Sequence, residues 1–163
     1  MTLEARIRDR LDVKWLTPSQ KALWEAMQRF DGPPHRVINI YGLEGTGKTF
    51  IGWLLERMNL STYRVWPNVQ RPLLPRLTLD DVLPDRTTTR DVRPLVDKYD
   101  IQQIILLSRM RVDERAMPTF ELCVTENDLE SFRANLYRYL QITLPESDYR
   151  NYKAALAVIG GTN

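Results

Sequence analysis

The chain has 163 residues, of which 43% are hydrophobic, and this length and composition suit one domain with a substantial buried core. A formal net charge of +2 excludes a strongly basic or strongly acidic protein, and a single cysteine excludes a disulfide framework. The first residues are charged and no apolar run approaches the length of a membrane span, so we expect no signal peptide, no membrane contact and a cytoplasmic location.

Two helices are predicted before the first strand. Apolar residues recur every four positions from Leu3 to Trp15, which predicts a charged helix with a narrow apolar stripe. The segment Thr17–Gln20 has the pattern of a capping box that Gln20 closes, so a second helix should begin there and end by residue 31.

A short β-branched run over residues 37–41 leads into the pattern Gly-x-x-x-x-Gly-Lys-Thr, and an amphipathic helical pattern follows through Met58. Strand, loop and helix in this order are the context of a phosphate-binding loop. A glycine-rich turn without a ligand is the alternative, and the agreement of both flanking elements argues against it. The residues expected to bind a nucleotide here are Gly42, Leu43, Glu44, Gly45, Thr46, Gly47, Lys48, Thr49 and Phe50.

The fixed residues of this loop each have a physical role. The glycines allow backbone conformations in which successive amides turn toward an anion, and the helix that follows presents its free N–H groups to the same anion. Lys48 should reach the β- and γ-phosphates, which makes it a predicted catalytic residue. The Thr49 hydroxyl should occupy one position around Mg²⁺.

Strands and helices alternate along the rest of the chain. The predicted strands are 62–66, 77–82, 101–108 and 120–124. Three helices are predicted among them and after them: the first spans 89–99 with Pro94 near its start, the second is capped by Thr125, and the third spans 147–159. This alternation predicts an α/β protein with a three-layer P-loop NTPase fold, in which a mainly parallel five-stranded sheet carries helices on both faces. Cys123 falls in the last strand, where a buried and inert thiol is expected.

We expect one nucleotide-binding domain, with N-terminal helices over 1–31, a core over 37–140 and a C-terminal helix over 147–159. In such a sheet the ligand lies at the carboxyl ends of the strands.

A pair of carboxylates follows the third predicted strand. A magnesium-dependent P-loop enzyme needs an acid at the end of a neighbouring strand and a group that orients the attacking water. Asp80 is predicted to hold the metal and Asp81 to act on the water, both as catalytic residues; the alternative is that the pair caps a turn. Asp97 and Asp100 precede an apolar strand and are expected at the opposite edge of the sheet.

Arg109 stands at the productive end of the most apolar strand, where an arginine can reach the γ-phosphate. A surface role is the alternative for Arg109. Arg111 and Arg115 are weaker candidates, and His35 has no metal-ligand spacing and is assigned no role.

The cations are 18 Arg and 5 Lys, a skew that suits recognition of phosphate by forked guanidinium groups. Arg-rich codon usage would produce the same skew. Because the arginines are dispersed among 21 acidic residues, we favour the second interpretation and keep nucleic acid as an open partner.

The order of these parts resembles the AAA+ and STAND (NB-ARC-like) branch of P-loop NTPases over roughly residues 37–140. The resemblance implies ATP and Mg²⁺ as cofactors and a sheet in which the loop-bearing strand is central. It also implies residue roles, with Walker A containing Lys48 and Thr49, Walker B containing Asp80 and Asp81, and Arg109 as the sensor-1 arginine.

Members of this branch carry a helical lid domain after the fifth strand. Only about two helices of sequence follow Val124 here. We therefore expect a minimal nucleotide-binding core that depends on a protein partner or on a second copy of itself.

The segment Leu16–Gln20 is also similar to the glutamine motif of helicase superfamily 1, in which the amide contacts adenine. A side-chain amide can pair with adenine through two hydrogen bonds, so Gln20 is a candidate ligand of the base. Helix capping is the alternative use of Gln20.

These observations favour a small ATP-binding, Mg²⁺-dependent ATP-hydrolysing protein that acts as a nucleotide-dependent switch or as a subunit of a larger complex. A nucleic-acid-linked ATPase, a small-molecule kinase and a non-hydrolysing nucleotide-binding scaffold are the alternatives.

Overall fold

The computed structural model of the protein describes residues 1–30, 36–83, 86–112 and 117–160. Five strands form one sheet, and every neighbouring pair is parallel. The strands are β1 (Val37–Tyr41), β2 (Thr62–Val65), β3 (Arg76–Val82), β4 (Gln103–Ser108) and β5 (Thr119–Glu121). Their spatial order is β2-β3-β4-β1-β5. The predicted α/β fold with a parallel five-stranded sheet is therefore confirmed.

The helices are α1 (Leu3–Arg10), α2 (Pro18–Gln28), α3 (Lys48–Arg57), α4 (Arg86–Tyr99), α5 (Glu126–Leu140) and α6 (Tyr152–Gly160), and a 3₁₀ turn spans Val13–Trp15. No helix in the described ranges combines the length and the apolar character needed to cross a bilayer.

Two hydrophobic cores lie on opposite faces of the sheet, because successive side chains of a strand point to opposite sides. In β4, Ile105 and Leu107 belong to the core shared with α1, α2, α3, α5 and α6. Ile104 and Leu106 belong to the other core, which α4 covers with Val92. All four β4 residues are almost inaccessible to solvent, as expected for a strand buried on both faces.

The loop-bearing strand is internal, as the family resemblance implies, but it is not the middle strand of the five. β4 occupies the centre of the sheet, and β1 lies one place away, between β4 and β5. β1 is still internal, so its carboxyl end opens between two neighbouring strands, where a ligand can be surrounded.

The N-terminal helix is shorter than the predicted span 3–15. It ends at Arg10, and the Asp12 carboxylate then accepts the Lys14 N–H at 3.0 Å and begins the 3₁₀ turn. A short acidic side chain that bonds its own backbone competes with helix continuation, and this local effect outweighed the four-residue apolar spacing.

The prediction for Cys123 was wrong, because the side chain is exposed and lies beyond β5. Among the described residues β5 pairs with β1 alone, and β1 ends at Tyr41, so the ladder stops with the Leu122 N–H donating to the Tyr41 carbonyl at 2.8 Å. Beyond that bond no strand in the described ranges pairs with this segment.

Two helix predictions also need correction. The helix predicted from residue 89 begins at Arg86, which places Pro94 well inside it, and the helix predicted from residue 147 begins at Tyr152. The second helix ends at Gln28, within the predicted bound of residue 31, whereas His35 and Arg115 lie outside the described residues.

Candidate functional site

The loop over residues 42–49 leaves β1 at the carboxyl edge of the sheet and enters α3, whose N-cap is Gly47. Gly45 and Gly47 have φ angles of 81° and 89°, a left-handed backbone that side chains rarely adopt. Gly42 is needed for a different reason, because a Cβ atom there would collide with the carbonyl oxygen of Leu122. The loop thus takes a tight bend that closely approaches the segment after β5.

Lys48 begins α3 and is only 9% exposed. Its Nζ donates to the carbonyl oxygens of Gly42 at 2.6 Å and Leu43 at 2.9 Å, so the ammonium group lies inside the bend of the loop. Burial lowers the pKa of Lys48, and the nearby Asp80 carboxylate opposes that shift. A phosphate would meet a cation that the protein has already placed.

Thr49 and Asp80 meet across the site, although they are 31 residues apart in the chain. The Thr49 hydroxyl donates to Asp80 Oδ2 at 2.7 Å. Hydroxyl and carboxylate oxygens are the ligands that Mg²⁺ prefers, and this ion is usually held by one or two protein groups together with phosphate oxygens. The donor set therefore fits Mg²⁺. The described residues contain no cluster of three or more His, Cys, Asp or Glu side chains that could hold a metal ion.

Asp80 and Asp81 differ in their surroundings. Asp80 is 8% exposed, and its Oδ1 accepts the Asp81 N–H at 2.8 Å. Asp81 is exposed and has a left-handed backbone with φ of 59°, at the point where the register between β3 and β4 shifts. A bulge re-aims the side chain that it carries. Both carboxylates line the same cavity, but only Asp80 bonds to the phosphate-loop helix.

Asp80 has a further partner that the sequence analysis missed. The hydroxyl of Tyr63, on β2, donates to Asp80 Oδ2 at 2.6 Å. Burial and then the bond to Asp80 raise the pKa of Tyr63 far above its ordinary value of 10.0, so the phenol stays protonated and acts as the donor. No sequence motif indicates this contact, because it joins adjacent strands.

Glu44, at the tip of the loop, forms ion pairs with two cations. Lys153 of α6 bonds to its Oε1, and Arg109 approaches the same atom at 3.9 Å. The hydrogen bond and charge of Lys153, and then the charge of Arg109, lower the pKa of Glu44. Arg109 thus lies at the mouth of the loop, where the sequence placed it. Lys153 was not predicted, since the C-terminal helix carries no recognisable motif.

Gln20 closes the capping box of α2 and lies beside the loop. Its Oε1 accepts the Thr17 N–H at 3.1 Å, so the capping role is confirmed. Its Nε2 lies only 2.5 Å from where a Cβ of Gly47 would be, which places the amide against the phosphate loop. Phe50 is half-buried and lines the same cavity.

The segment before and at the start of α6 contacts the loop directly. The Tyr152 N–H donates to the Gly45 carbonyl at 3.0 Å, and Asn151 Nδ2 donates to the Glu44 carbonyl at 3.3 Å. The Tyr152 hydroxyl also shares a 2.8 Å hydrogen bond with Thr17. The C-terminal segment therefore fixes one side of the loop and ties it to the start of α2.

These residues surround a cavity of about 970 Å³. The polar part of the lining includes the loop, the two aspartates and Arg109. The apolar part includes side chains of α1, α3, α5, α6 and the 3₁₀ turn, among them Leu3, Ile7, Trp15, Trp53, Phe132 and Leu156. A cavity lined by both charged and apolar side chains suits a ligand that has both kinds of group.

No protein-family model matches the chain, and no curated protein matches its sequence. A solved structure described as the crystal structure of a DNA replication initiation factor shares its fold, with a TM-score of 0.63 and 14% sequence identity. The similarity covers 94% of this chain and 62% of that one. At this identity the comparison supports the α/β P-loop fold, and the chain spans about three fifths of the structure that it matches.

Proposed function

We propose that the protein binds ATP with Mg²⁺ on the loop over residues 42–49 and hydrolyses it. The observation that carries this proposal is one cavity of about 970 Å³ that is lined both by the loop and by apolar and aromatic side chains. The amides of the loop and the N-terminus of α3 would hold the phosphates, and Lys48 would neutralise their charge. The polar and apolar side chains of the lining together favour a nucleotide over inorganic phosphate.

The roles of the remaining residues follow from their positions. Thr49 and Asp80 would hold Mg²⁺, which supplies charge stabilisation when it is bound with the nucleotide. Asp81, exposed in the cavity and not bonded to the loop, would orient a water molecule. Arg109 would exchange its long contact with Glu44 for the terminal phosphate.

The base would lie among the apolar side chains of the cavity lining. Gln20 lines the same cavity, and while its Oε1 accepts the Thr17 N–H, its Nε2 would be offered to the base as a donor. Such a donor would bond a ring nitrogen or a carbonyl oxygen of a purine. We propose adenine on the resemblance to AAA+ proteins, without assigning the chain to the STAND (NB-ARC-like) branch.

A titration tests this function. Calorimetry of the purified protein with ATP, in the presence and absence of Mg²⁺, should show binding that Lys48→Ala reduces strongly, because the buried ammonium group is the cation inside the loop. Lys21→Ala, at an exposed position of α2, is the matched control and should bind as the unaltered chain does. Absence of binding heat and of thermal protection by ATP in the unaltered chain would refute the proposal.

We further propose that the protein is cytoplasmic. We also propose that its nucleotide state governs contact with a protein partner or a second copy, because the C-terminal segment bonds directly to the loop and would respond to what the loop binds. Size-exclusion chromatography with ATP, with ADP and without nucleotide tests this point. A monomer that is identical in all three conditions and captures no partner would contradict it. A link to nucleic acid remains a subordinate proposal, tested by whether binding to DNA or RNA weakens steeply with salt.

The small-molecule kinase and the non-hydrolysing scaffold make different predictions for the same cavity. A kinase would release ADP only when an acceptor such as a nucleoside or sugar is added, and a scaffold would release none. Phosphate release from ATP and water alone supports hydrolysis.

A further inference from the structure

The Asp80 carboxylate is held by three donors that come from three different parts of the fold. Its Oδ1 accepts the Asp81 N–H, and its Oδ2 accepts the hydroxyls of Thr49 at 2.7 Å and Tyr63 at 2.6 Å. The carboxylate is 8% exposed, so water competes little for these bonds. Tyr63 is the one donor of the three that belongs neither to the loop helix nor to β3.

Tyr63 reaches Asp80 through a space that a glycine leaves open. A Cβ atom at Gly52, in the middle of α3, would lie 2.8 Å from two ring atoms of Tyr63. Real Cβ atoms essentially never approach so closely. Glycine inside a helix costs about 1 kcal/mol relative to alanine, so its presence here coincides with a packing need that alanine cannot meet.

The tyrosine is fixed on two further sides. The Glu56 carboxylate of α3 accepts a hydrogen bond from the Tyr63 N–H at 3.3 Å and another from the Arg8 guanidinium of α1 at 2.7 Å. The Arg8 guanidinium lies over the Tyr63 ring, 5.8 Å from its centroid. The ring therefore has little freedom, and its hydroxyl points at one carboxylate oxygen from a fixed direction.

We propose that Tyr63 is a positioning residue that orients Asp80 toward the metal of a Mg²⁺–nucleotide complex, and that Gly52 is glycine in order to admit its ring. This inference rests on the proposed function. Tyr63 lies behind Asp80 and acts through it. Partners that orient a metal-binding carboxylate typically change metal affinity about 10- to 100-fold when removed.

The test compares Tyr63→Phe with the unaltered chain in titrations of Mg²⁺ into the complex with a fluorescent ATP analogue. The phenyl ring keeps the packing against Gly52 and loses only the hydroxyl. We expect nucleotide affinity in EDTA to stay unchanged and the Mg²⁺ concentration at half-saturation to rise about tenfold or more. Gly52→Ala should shift the Mg²⁺ titration in the same direction, because the added methyl group displaces the ring.

Ser61→Ala is the matched control. Ser61 is fully buried just before β2 and shares a 2.7 Å hydrogen bond with Thr78 of β3, so its loss weakens the same strand pair without touching Asp80. Ser61→Ala should lower the melting temperature and leave the Mg²⁺ concentration at half-saturation unchanged.

An unaltered chain that binds the analogue with a clear Mg²⁺ dependence, combined with an unchanged titration of Tyr63→Phe, would overturn this inference and leave the proposed function standing. An unaltered chain that binds no nucleotide would overturn both. If Tyr63→Phe does not fold, the Gly52→Ala titration decides in the same way.

Discussion

Asp128 joins the start of α5 to the start of α2, and we expect its replacement to have a large and pH-dependent effect on stability. The side chain is completely buried. Its carboxylate accepts four hydrogen bonds, two from the N–H and hydroxyl of Ser19 and two from the N–H and hydroxyl of Thr125, at 2.6–2.8 Å. In Asp128→Asn at least one buried backbone N–H would face the new amide group instead of an oxygen.

A buried N–H without an acceptor costs about 1–3 kcal/mol, and the remaining bonds lose the strength that the negative charge gives them. We therefore expect Asp128→Asn to lower the free energy of unfolding by roughly 2–4 kcal/mol. For a chain of this length, that loss corresponds to a decrease in melting temperature of roughly 5–15 °C.

The pH dependence provides a second readout. Burial works to raise the pKa of Asp128, but the hydrogen bonds from Ser19 and Thr125 outweigh it, so the folded-state pKa lies below the ordinary value of 3.8. Stabilisation from a depressed pKa is complete above the unfolded-state pKa and is lost as the pH falls through the folded-state pKa. The difference between the two proteins should thus be full near neutral pH and smaller at about pH 3.

Thermal unfolding followed by circular dichroism at both pH values measures these effects. Glu126→Gln is the matched control, because Glu126 is an exposed acid in the first turn of the same helix and should contribute less than about 1 kcal/mol. Equal melting temperatures for the two variants, or a difference that does not shrink in acid, would show that the network around Asp128 is not the source of stability.

Three further predictions concern the loop and its surroundings. Asp81→Asn should leave ATP affinity unchanged and lower phosphate release about 10²–10⁴-fold, and undiminished release would remove Asp81 from the reaction. Glu44→Gln removes a negative charge from the loop and frees Arg109 and Lys153 from their ion pairs. Calorimetry should show ATP affinity rising roughly two- to fivefold, with a smaller increase at high salt. Weaker binding would contradict this reasoning. Gly47→Ala forces a side chain into a left-handed backbone, 2.5 Å from Gln20 Nε2, and should lower the free energy of unfolding by about 1–2 kcal/mol and weaken ATP binding. Gly160→Ala, with open space around it, is the control and should do neither. Equal melting temperatures for the two variants would count against a strained bend at Gly47.

The loop could be predicted from the sequence because its signals are local. Gly45 and Gly47 determine the bend, and the patterns on either side indicate a strand and a helix. Asp80 followed from the order of the strands, since the carboxyl ends of parallel strands meet at one edge. What these predictions share is that each depends on residues close together in the chain or on a rule of sheet topology.

Tyr63, Asn151 and Lys153 could not be predicted in the same way. Their contacts with Asp80 and with the loop join elements that are distant in the chain, and their residue types occur on many surfaces. The end of β5 was misplaced for a related reason, because it depends on where β1, its one neighbour among the described strands, stops. Such features are determined by tertiary pairing, which a single sequence does not display.

The loop is supported by parts of the chain that are synthesised much later. Leu122, whose carbonyl packs against Gly42, follows it by 80 residues, and both neighbours of β1 also come after the loop. At about 5–20 residues per second, the ribosome needs roughly 4–16 s to produce that stretch. Until then the glycine-rich bend lacks the packing against Leu122 and the strand pairing that hold it, and parallel pairing between distant strands is slow. If the loop binds nucleotide as proposed, the nucleotide would therefore stabilise the completed sheet. It would find no formed site during the earlier steps of synthesis.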